Sequence, residues 1–407
     1  MRRVVITGVG SISPLGGDVE TLLSGIEQGK SAIRYIQEWE EYTGLRCHLG
    51  APAPLPHTKN IPRKNRRSMG RMSFFAVEAA KQALANADIG SDTLASGRAG
   101  CIIGSTMGGA ESLVEAFELM LPEHDLTQLS STKFFQCVSH TAVMNVAQYL
   151  GINGVVMATS GACASALQAM GAGYDQIRLG RQDVMLCGGA EEIHPAVTGS
   201  FDILFATSTH YEDHPDKTPR PFDRDRDGLI CGEGSGILVL EEYERAMQRG
   251  ATPLAEVTGF HTCGSGSHIS QSDSETMQLC INKSLEDAGI NTSDIDYINA
   301  HATATIQGDQ HEADVIRHIF GDKIPVSSLK GYIGHTLGAS GAIELIVSLY
   351  MLQNNLIYPT LNLDNIGRDC EGLNHVTQKQ DARIDTVLKN AFAFGGINSS
   401  IIVNKPE

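Results

Sequence analysis

An internal repeat dominates this sequence. Five segments of the first 250 residues return in the same order in the rest of the chain, with similar successions of apolar runs, small-residue turns and Ala-rich stretches. Identity within each pair is low, so the shared order carries the inference. It predicts two similar halves, residues 1–250 and 251–407. The pairs are 2–11 with 253–265, 79–109 with 281–309, 153–170 with 323–352, 183–192 with 390–399, and 236–242 with 400–406.

The pattern within each half predicts an α/β fold. Short β-branched runs alternate with Ala-rich helical stretches. Gly250, followed by Pro253, marks the end of a helix between the halves. In open α/β sheets, ligands bind beyond the carboxyl ends of the strands, so the turns that follow the strands are the places to look for chemistry.

Composition and charge exclude several classes of function. The net charge of −16 argues against nucleic acid or an anionic membrane as the main partner. No stretch approaches the roughly 20 apolar residues of a membrane span, and the apolar run at the N-terminus is too short for a signal peptide. We therefore expect a cytoplasmic protein. The nine cysteines form no CxxC pair and the histidines no HExxH motif, so no metal site is expected.

One segment departs from the acidic balance. "PRKNRRSMGR" carries five cations and no acid. Such a run is either the solvated start of a helix or a docking site for an acidic partner. Its cations are Arg63, Lys64, Arg66, Arg67 and Arg71.

Four strand-end turns hold the most reactive residues, and Cys163 is the first of them. It lies between alanines, after the apolar strand at 154–159 and before a helical pattern that ends at Gly180. A helix N-terminus favours a thiolate, and the small neighbours permit a sharp turn. The alternative is a buried structural cysteine, which is the commoner role for this residue.

The other three turns carry His301, His335 and Phe394. The hydroxyls of Thr303 and Thr305 follow His301, and a lysine precedes His335 by five positions. A cysteine with two histidines suits acyl transfer through a thioester, with the thiol as nucleophile and the imidazoles as hydrogen-bond donors or acid–base groups.

The turns resemble, in order and spacing, the signature motifs of β-ketoacyl-acyl carrier protein synthases with a Cys-His-His site. The resemblance covers essentially the whole chain and implies a thiolase-like fold, duplicated, with five αβαβα layers. It also implies a decarboxylative Claisen condensation of an acyl thioester with malonyl-acyl carrier protein, in fatty-acid or polyketide elongation. The motifs are "SGACASA", "HATATIQGD", "SLKGYIGHTLGASGA" and "NAFAFGGIN".

The resemblance implies a role for each of these positions. Cys163 accepts the acyl chain, and His301 with His335 holds the malonyl thioester carbonyl during decarboxylation. Lys330 orders the site, with Glu312 as its expected partner. The backbone N–H groups of Cys163 and Phe394 form an oxyanion hole, and Phe394 also acts as a gate.

The same resemblance implies partners but no organic cofactor. An acidic acyl carrier protein delivers both thioesters, which makes the basic segment its expected docking site. Ala302 stands where the family commonly has glycine, and Ile397 where it has threonine. Segments such as "EWEEYTGLRCHLGAP" and "FDILFATS" resemble the branch that makes aryl polyene pigments.

The family also implies a dimer, either a homodimer or a heterodimer with a subunit that resembles a ketosynthase. Gln136, Cys137 and Val138 lie where that interface forms and are expected to line the partner's acyl pocket, with ordinary core packing as the alternative. Met107 in "GSTMGG" either borders the acyl tunnel or lies in a simple turn.

Four rival interpretations remain. A thiolase would place a second cysteine in the C-terminal glycine-rich turn, which here reads "FAFGGINSS". A starter-type synthase would have Asn at the position of His335. A chain-length partner subunit, which only binds, would lack Cys163. A cysteine hydrolase would need an Asn or Asp to orient its base.

Overall fold

A computed structural model describes residues 1–266 and 273–406. Its main feature is an 11-stranded mixed sheet, accompanied by two small two-stranded sheets. The strands within the described residues are β1 Val4–Ile12, β2 Arg34–Tyr35, β3 Leu49–Gly50, β4 Ala99–Gly104, β5 Val156–Thr159, β6 Val184–Glu191, β7 Gly234–Glu242, β8 Ala255–Gly264, β9 Tyr297–Asn299, β10 Pro325–Ser327, β11 Leu356–Ile357, β12 Asn374–His375, β13 Gln380–Asp381, β14 Thr386–Ala393 and β15 Ile397–Asn404.

The helices of the described residues cover both faces of this sheet. They are α1 Val19–Glu27, α2 Arg63–Arg66, α3 Arg71–Ala87, α4 Ser91–Ala95, α5 Ala110–Met120, α6 Ser131–Cys137, α7 Thr141–Leu150, α8 Ser165–Arg178, α9 Pro195–Ile203, α10 Tyr243–Gln248, α11 Ser274–Ala288, α12 Ile306–Phe320, α13 Lys330–Ile333 and α14 Ser340–Asn354.

The strand order contains the same sequence of pairings twice. Outward from β1 come β7, β6, β4 and β5, and outward from β8 come β15, β14, β9 and β10, with β12 beyond it. In both series the first two pairings are antiparallel and the next two are parallel. The series meet where β1 pairs with β8. The repeat in the sequence is therefore a repeat of the fold, while the division at residue 250 stays a prediction.

Helices form three layers around the two series of strands. α8 and α14 pack against each other and against strands of both series, so they form a middle layer. α14 is apolar almost all round and nearly every residue of it is buried, as expected of a helix covered on all sides. α3 with α7 covers one outer face, and α11 with α12 covers the other. The result is the five-layer αβαβα arrangement.

Glycines set the distance between strands and outer helices. A Cβ on Gly8 of β1 would lie 2.3 Å from the Ala83 carbonyl oxygen of α3, and one on Gly259 of β8 would lie 2.4 Å from the Ser284 carbonyl oxygen of α11. A side chain at either position would force the helix away from the sheet. The same requirement appears at equivalent places in the two halves.

No helix within residues 1–266 and 273–406 combines the length and the apolar character needed to cross a membrane.

Candidate active site

The turns singled out by the sequence meet in one cavity of about 320 Å³. Cys163, His301, His335 and Phe394 all contribute to its wall. They come from both halves of the chain, after β5, β9, β10 and β14. The duplication brings them together because equivalent strand ends of the two halves converge on the middle layer.

Cys163 lies in a 3-10 turn, Ala162–Ala164, immediately before α8. Ala162 has φ 47°, in the left-handed region that is strained for a residue with a Cβ. Ser165 holds this geometry, because its hydroxyl accepts from the Gly161 N–H at 2.9 Å and donates to the Ala162 carbonyl at 2.7 Å. The small residues of the turn permit this tight backbone geometry, and the Cys163 thiol is buried in the wall of the cavity.

The Cys163 thiol is hydrogen-bonded to His335, with 2.9 Å between Sγ and Nε2. Burial raises the pKa of this thiol to about 12, reinforced by Glu191 and Glu344 and opposed by Lys330. Burial thus opposes the thiolate that the helix N-terminus favours. The thiol is neutral because the loss of hydration outweighs the helix dipole.

His335 is fixed through its backbone. Its N–H donates to the Ile230 carbonyl at 2.7 Å, and its carbonyl accepts from the Gly232 N–H at 2.8 Å. Burial, Lys330 and Lys389 hold the pKa of His335 well below its usual range. The imidazole is therefore neutral at physiological pH and can accept a proton from the thiol.

His301 lies beside His335, with 5.1 Å between the ring centroids. Glu312 on α12 fixes its turn by accepting the N–H groups of His301 at 2.9 Å and Ala302 at 2.7 Å. Burial, Lys330, His335 and Lys389 hold the pKa of His301 well below its usual range. Ala302 fits this turn without a positive φ, which falls instead on Ala304 at 71°.

The expected pairing of Lys330 with Glu312 is wrong. Lys330 forms its ion pair with Glu344 of α14, and both side chains are fully buried. Glu344 lies 14 residues after Lys330, on the helix that follows the His335 turn. Glu312 belongs to the His301 turn instead. Its two carboxylate oxygens already accept hydrogen bonds from the backbone N–H groups of His301 and Ala302.

Phe394 occupies the turn between β14 and β15. The two residues that follow it, Gly395 and Gly396, have φ of 89° and 71°, a conformation that only glycine adopts freely. The Phe394 ring packs against Phe201 of α9, with 5.7 Å between centroids. Thr303 and Thr305 also line the cavity, and their hydroxyls lie 3.2 Å apart.

Four predicted substrate-binding residues lie outside this cavity. Gln136 bonds the carbonyls of Arg67 and Met69 at 3.2 and 3.3 Å. The loop that contains Met107 packs against the 136–139 segment, because a Cβ on Gly108 would meet the Cys137 and Val138 carbonyls. None of the four, Met107, Gln136, Cys137 and Val138, lines the cavity of its own chain. Their predicted contact with the pocket of a partner stays a prediction.

The basic segment divides into a free part and a structural part. Arg63, Lys64 and Arg67 are exposed, and no acidic side chain among residues 1–266 and 273–406 forms an ion pair with them. Arg66 is half-buried and bonds the Thr58 carbonyl at 3.3 Å. Arg71 forms an ion pair with the buried Glu233 at 2.5 Å, so its charge is already neutralised within the chain, and its role in docking stays a prediction.

Cys163, His301 and His335 are also the only group of the described residues with donor atoms close enough to share a metal ion, within 4.8 Å of one another. This closeness does not identify metal ligands, because the Cys163 thiol and the His335 imidazole already bond each other. The absence of a metal and of an organic cofactor stays a prediction.

The sequence reasoning missed Glu344 and Lys389. Glu344 is the only charged residue in α14, and Lys389 the only one in β14. A lone charge in an otherwise apolar element must find a buried partner, because an unpaired charge is too costly to bury. That signal was available in the sequence and would have identified both residues.

Comparison with known proteins gives full-length matches. A family model described as "Beta-ketoacyl synthase, N-terminal domain" matches residues 1–246, and its C-terminal counterpart matches residues 254–364. The 3-oxoacyl-[acyl-carrier-protein] synthase 1 of Haemophilus influenzae is 35% identical, over 100% of this chain and 99% of its own length.

Solved structures agree along the whole chain. A β-ketoacyl synthase from Burkholderia phymatum STM815 superposes with a TM-score of 0.96 at 40% identity, with complete coverage of both chains. A chain of AntDE:AntF, a type II PKS acyl-carrier protein in complex with its ketosynthase bound to the hexaketide, superposes with a TM-score of 0.91 at 30% identity, again with complete coverage of both chains.

Proposed function

This chain belongs to the β-ketoacyl synthase family, and on that basis we propose how its own residues carry out the reaction. The reaction is the condensation of an acyl thioester with a malonyl thioester to a β-ketoacyl thioester, in fatty-acid or polyketide elongation. The observation that carries the proposal is the 2.9 Å bond between Cys163 Sγ and His335 Nε2, beside His301 in one cavity.

The first step is acyl transfer to Cys163. His335 takes the thiol proton as sulfur attacks the thioester carbonyl, so the thiolate forms only when it reacts. The N–H groups of Cys163 and Phe394 hold the oxyanion. The tetrahedral intermediate collapses, the carbon–sulfur bond to the incoming carrier breaks, and the departing thiolate takes the proton from His335.

The second step forms the nucleophilic carbon. Once Cys163 is acylated, His335 no longer faces a thiol proton and takes the neutral tautomer that carries its proton on Nε2. His301 and His335 then donate N–H hydrogen bonds to the malonyl thioester oxygen, where negative charge accumulates as CO₂ leaves. The electron pair of the broken carbon–carbon bond becomes that of an enolate. Its carbon attacks the acyl group on Cys163 and the carbon–sulfur bond to Cys163 breaks. The released thiolate takes up one proton from solvent, which the overall reaction consumes. Both imidazoles must be neutral here, which agrees with the direction of their pKa shifts.

In this proposal Phe394 acts as a gate. Its ring contacts Phe201 at the cavity wall, and the adjacent glycines permit the turn to change conformation at low cost. Ile397, which begins β15 three residues later, packs against the core cluster that contains Cys163. An acyl chain on Cys163 would displace Phe394, while Ile397 limits how far the turn moves.

The partner that delivers both thioesters is an acyl carrier protein. Arg63, Lys64 and Arg67 offer it three exposed cations on a chain with a net charge of −16. A local positive patch on an acidic protein steers an acidic partner to one face. The aryl polyene branch and the cytoplasmic location stay predictions.

Two copies, or one copy and a related subunit, would pair through the β5 edge of the sheet. β5 is the last strand of its series, and Val156 and Met157 are 42% and 43% exposed. Phe134 of α6 is 64% exposed. Proteins seldom leave an apolar strand edge open to solvent.

Acylation of the intact protein is the experiment that tests this proposal. The protein is incubated with a panel of acyl-loaded carrier proteins and its mass is measured. We expect one acyl group per chain, mapped by peptide digestion to Cys163, and the preferred acyl length reports the substrate. Acylation elsewhere, or none with any carrier, would contradict the assignment. A chain-length partner subunit would give no acylation at all.

A further inference from the structure

Lys389 is a fully buried lysine behind the active site. It is the only charged residue of β14, and its side chain has no exposed surface. Lysine is almost never buried completely unless it is paired, because the ammonium loses its hydration. Its contacts therefore define what it does.

One contact joins Lys389 to the side of the site that carries His335. Its Nζ lies 2.5 Å from a Glu344 carboxylate oxygen, and the other oxygen of Glu344 pairs with Lys330. Lys330 begins α13, the short helix that leads into the His335 turn. One carboxylate thus connects β14 to the elements that position this histidine.

Other contacts join Lys389 to the side that carries His301. Its Nζ lies 3.5 Å from the carbonyl of Ala300, the residue before His301, and 2.8 Å from the Asn390 carbonyl. Lys389 is also the β14 residue that pairs in register with Asn299 of β9. The ammonium therefore lies between the two histidine turns and contacts elements of both.

The electrostatic surroundings agree with this position. Glu344 and Glu312 raise the pKa of Lys389, while burial and Lys330 lower it more strongly, to about 8. Lys389 in turn helps to lower the pKa of His301 and of His335. Burial leaves little solvent to screen these interactions.

We propose that Lys389 is a positioning residue for the condensation, which holds the two histidine turns in register with Cys163 through Glu344 on one side and the Ala300 carbonyl on the other. The proposal rests on the roles assigned above to His301 and His335. A buried lysine that served stability alone would leave the reaction unchanged once the fold is intact. A positioning residue must alter the rate and its dependence on pH.

Lys389→Met separates these possibilities. It removes the charge with little change in length, and Glu344 keeps Lys330 as a partner, so no buried carboxylate is orphaned. It is tested in a Cys163→Gln background, where decarboxylation of malonyl carrier protein is measured without condensation, across a range of pH. Lys283→Met, an exposed lysine paired with Glu286, is the matched control.

We expect decarboxylation to fall by about 10- to 100-fold, since small displacements of catalytic groups cost this much. The acid limb of the profile should also move to higher pH. Removing a neighbouring positive charge raises the pKa of both histidines, and activity is lost as pH falls through those pKa values. Lys389→Gln, which keeps a donor for the Ala300 carbonyl, should recover part of the rate.

Melting temperature identifies variants that fail to fold, and the Gln variant replaces the Met variant if the latter unfolds. A folded variant with the rate and pH profile of its parent overturns the proposal for Lys389 alone. Absence of decarboxylation in the Cys163→Gln parent overturns the roles of the histidines and the proposal with them. A loss equal to that of Lys283→Met also overturns it.

Discussion

At the scale of single residues, the state of Cys163 decides how the site works. A thiolate at a helix N-terminus would react at rest with any electrophile. Burial instead keeps the thiol neutral, and in the proposed mechanism His335, 2.9 Å away, takes the thiol proton only when a substrate is in place. Such a mechanism favours a delivered thioester, because the nucleophile forms only at a buried thiol, 2% exposed, in the wall of the cavity.

Substitution of Cys163 separates the two steps. Cys163→Ala should lower condensation by at least about 1,000-fold, since Cys163 is the only cysteine among the described residues that line the cavity. Cys163→Gln should lose condensation but retain decarboxylation, because its amide resembles an acylated thiol. Product and CO₂ are measured in parallel, with Cys101→Ala as a control at a buried cysteine outside the cavity. Product formation by Cys163→Ala would contradict the assignment of Cys163 as the nucleophile.

At the scale of elements, the packing of a helix decides which of its basic side chains stay exposed to solvent. α2 presents Arg63 and Lys64 to solvent, whereas Arg71 at the start of α3 turns inward to Glu233. The two helices are adjacent in a single basic run of the sequence. Their different surroundings come from packing, since α3 lies against β1 and β7 of the sheet and α2 packs against α7.

Neutralising the exposed part of this run tests carrier-protein docking. Arg63→Gln, Lys64→Gln and Arg67→Gln together should raise the apparent Km for acyl carrier protein by about tenfold at low salt, and less at high salt. The change in kcat should be small. Exposed cations elsewhere provide the control triple, Lys30→Gln, Arg181→Gln and Lys323→Gln. An equal change in apparent Km for both triple variants would indicate that the basic segment is an ordinary solvated surface and not a docking site.

Close packing of β1 on α3 makes a prediction for stability. Gly8→Ala should lower the free energy of unfolding by about 1–3 kcal/mol, because the new Cβ would lie 2.3 Å from a backbone oxygen. Gly90→Ala is the control, since no atom lies within 4 Å of the Cβ that it adds. Denaturant unfolding measures both. Equal stability of the two variants would contradict the packing argument.

At the scale of the whole molecule, duplication creates the active site. Neither series of strands contains the full set of proposed catalytic groups, since Cys163 follows a strand of the first and His301, His335 and Phe394 follow strands of the second. The shared middle layer of α8 and α14 brings the two sets together. The thiolase-like architecture expected from the sequence is confirmed by this arrangement and by the full-length structural matches.

The open β5 edge predicts the quaternary structure. Light scattering should give twice the chain mass of 43.6 kDa, or a dimer only when a related ketosynthase-like subunit is co-expressed. Met157→Lys should shift the protein towards monomer, because charge on an apolar strand edge opposes pairing. Leu179→Lys, at an exposed apolar residue after α8, should leave the mass unchanged. A monomer under every condition would contradict the prediction.

The sequence alone was sufficient for the α/β class, the duplication, the family and the identity of the turns that hold Cys163, His301 and His335. These follow from local order and from motifs, which a chain carries regardless of how distant segments pack. Only the tertiary structure decided the partner of Lys330, the inward turn of Arg71 and the neutral state of the Cys163 thiol. Each of these depends on which buried groups approach one another across the fold and on how much water they lose, and neither quantity is encoded in local spacing.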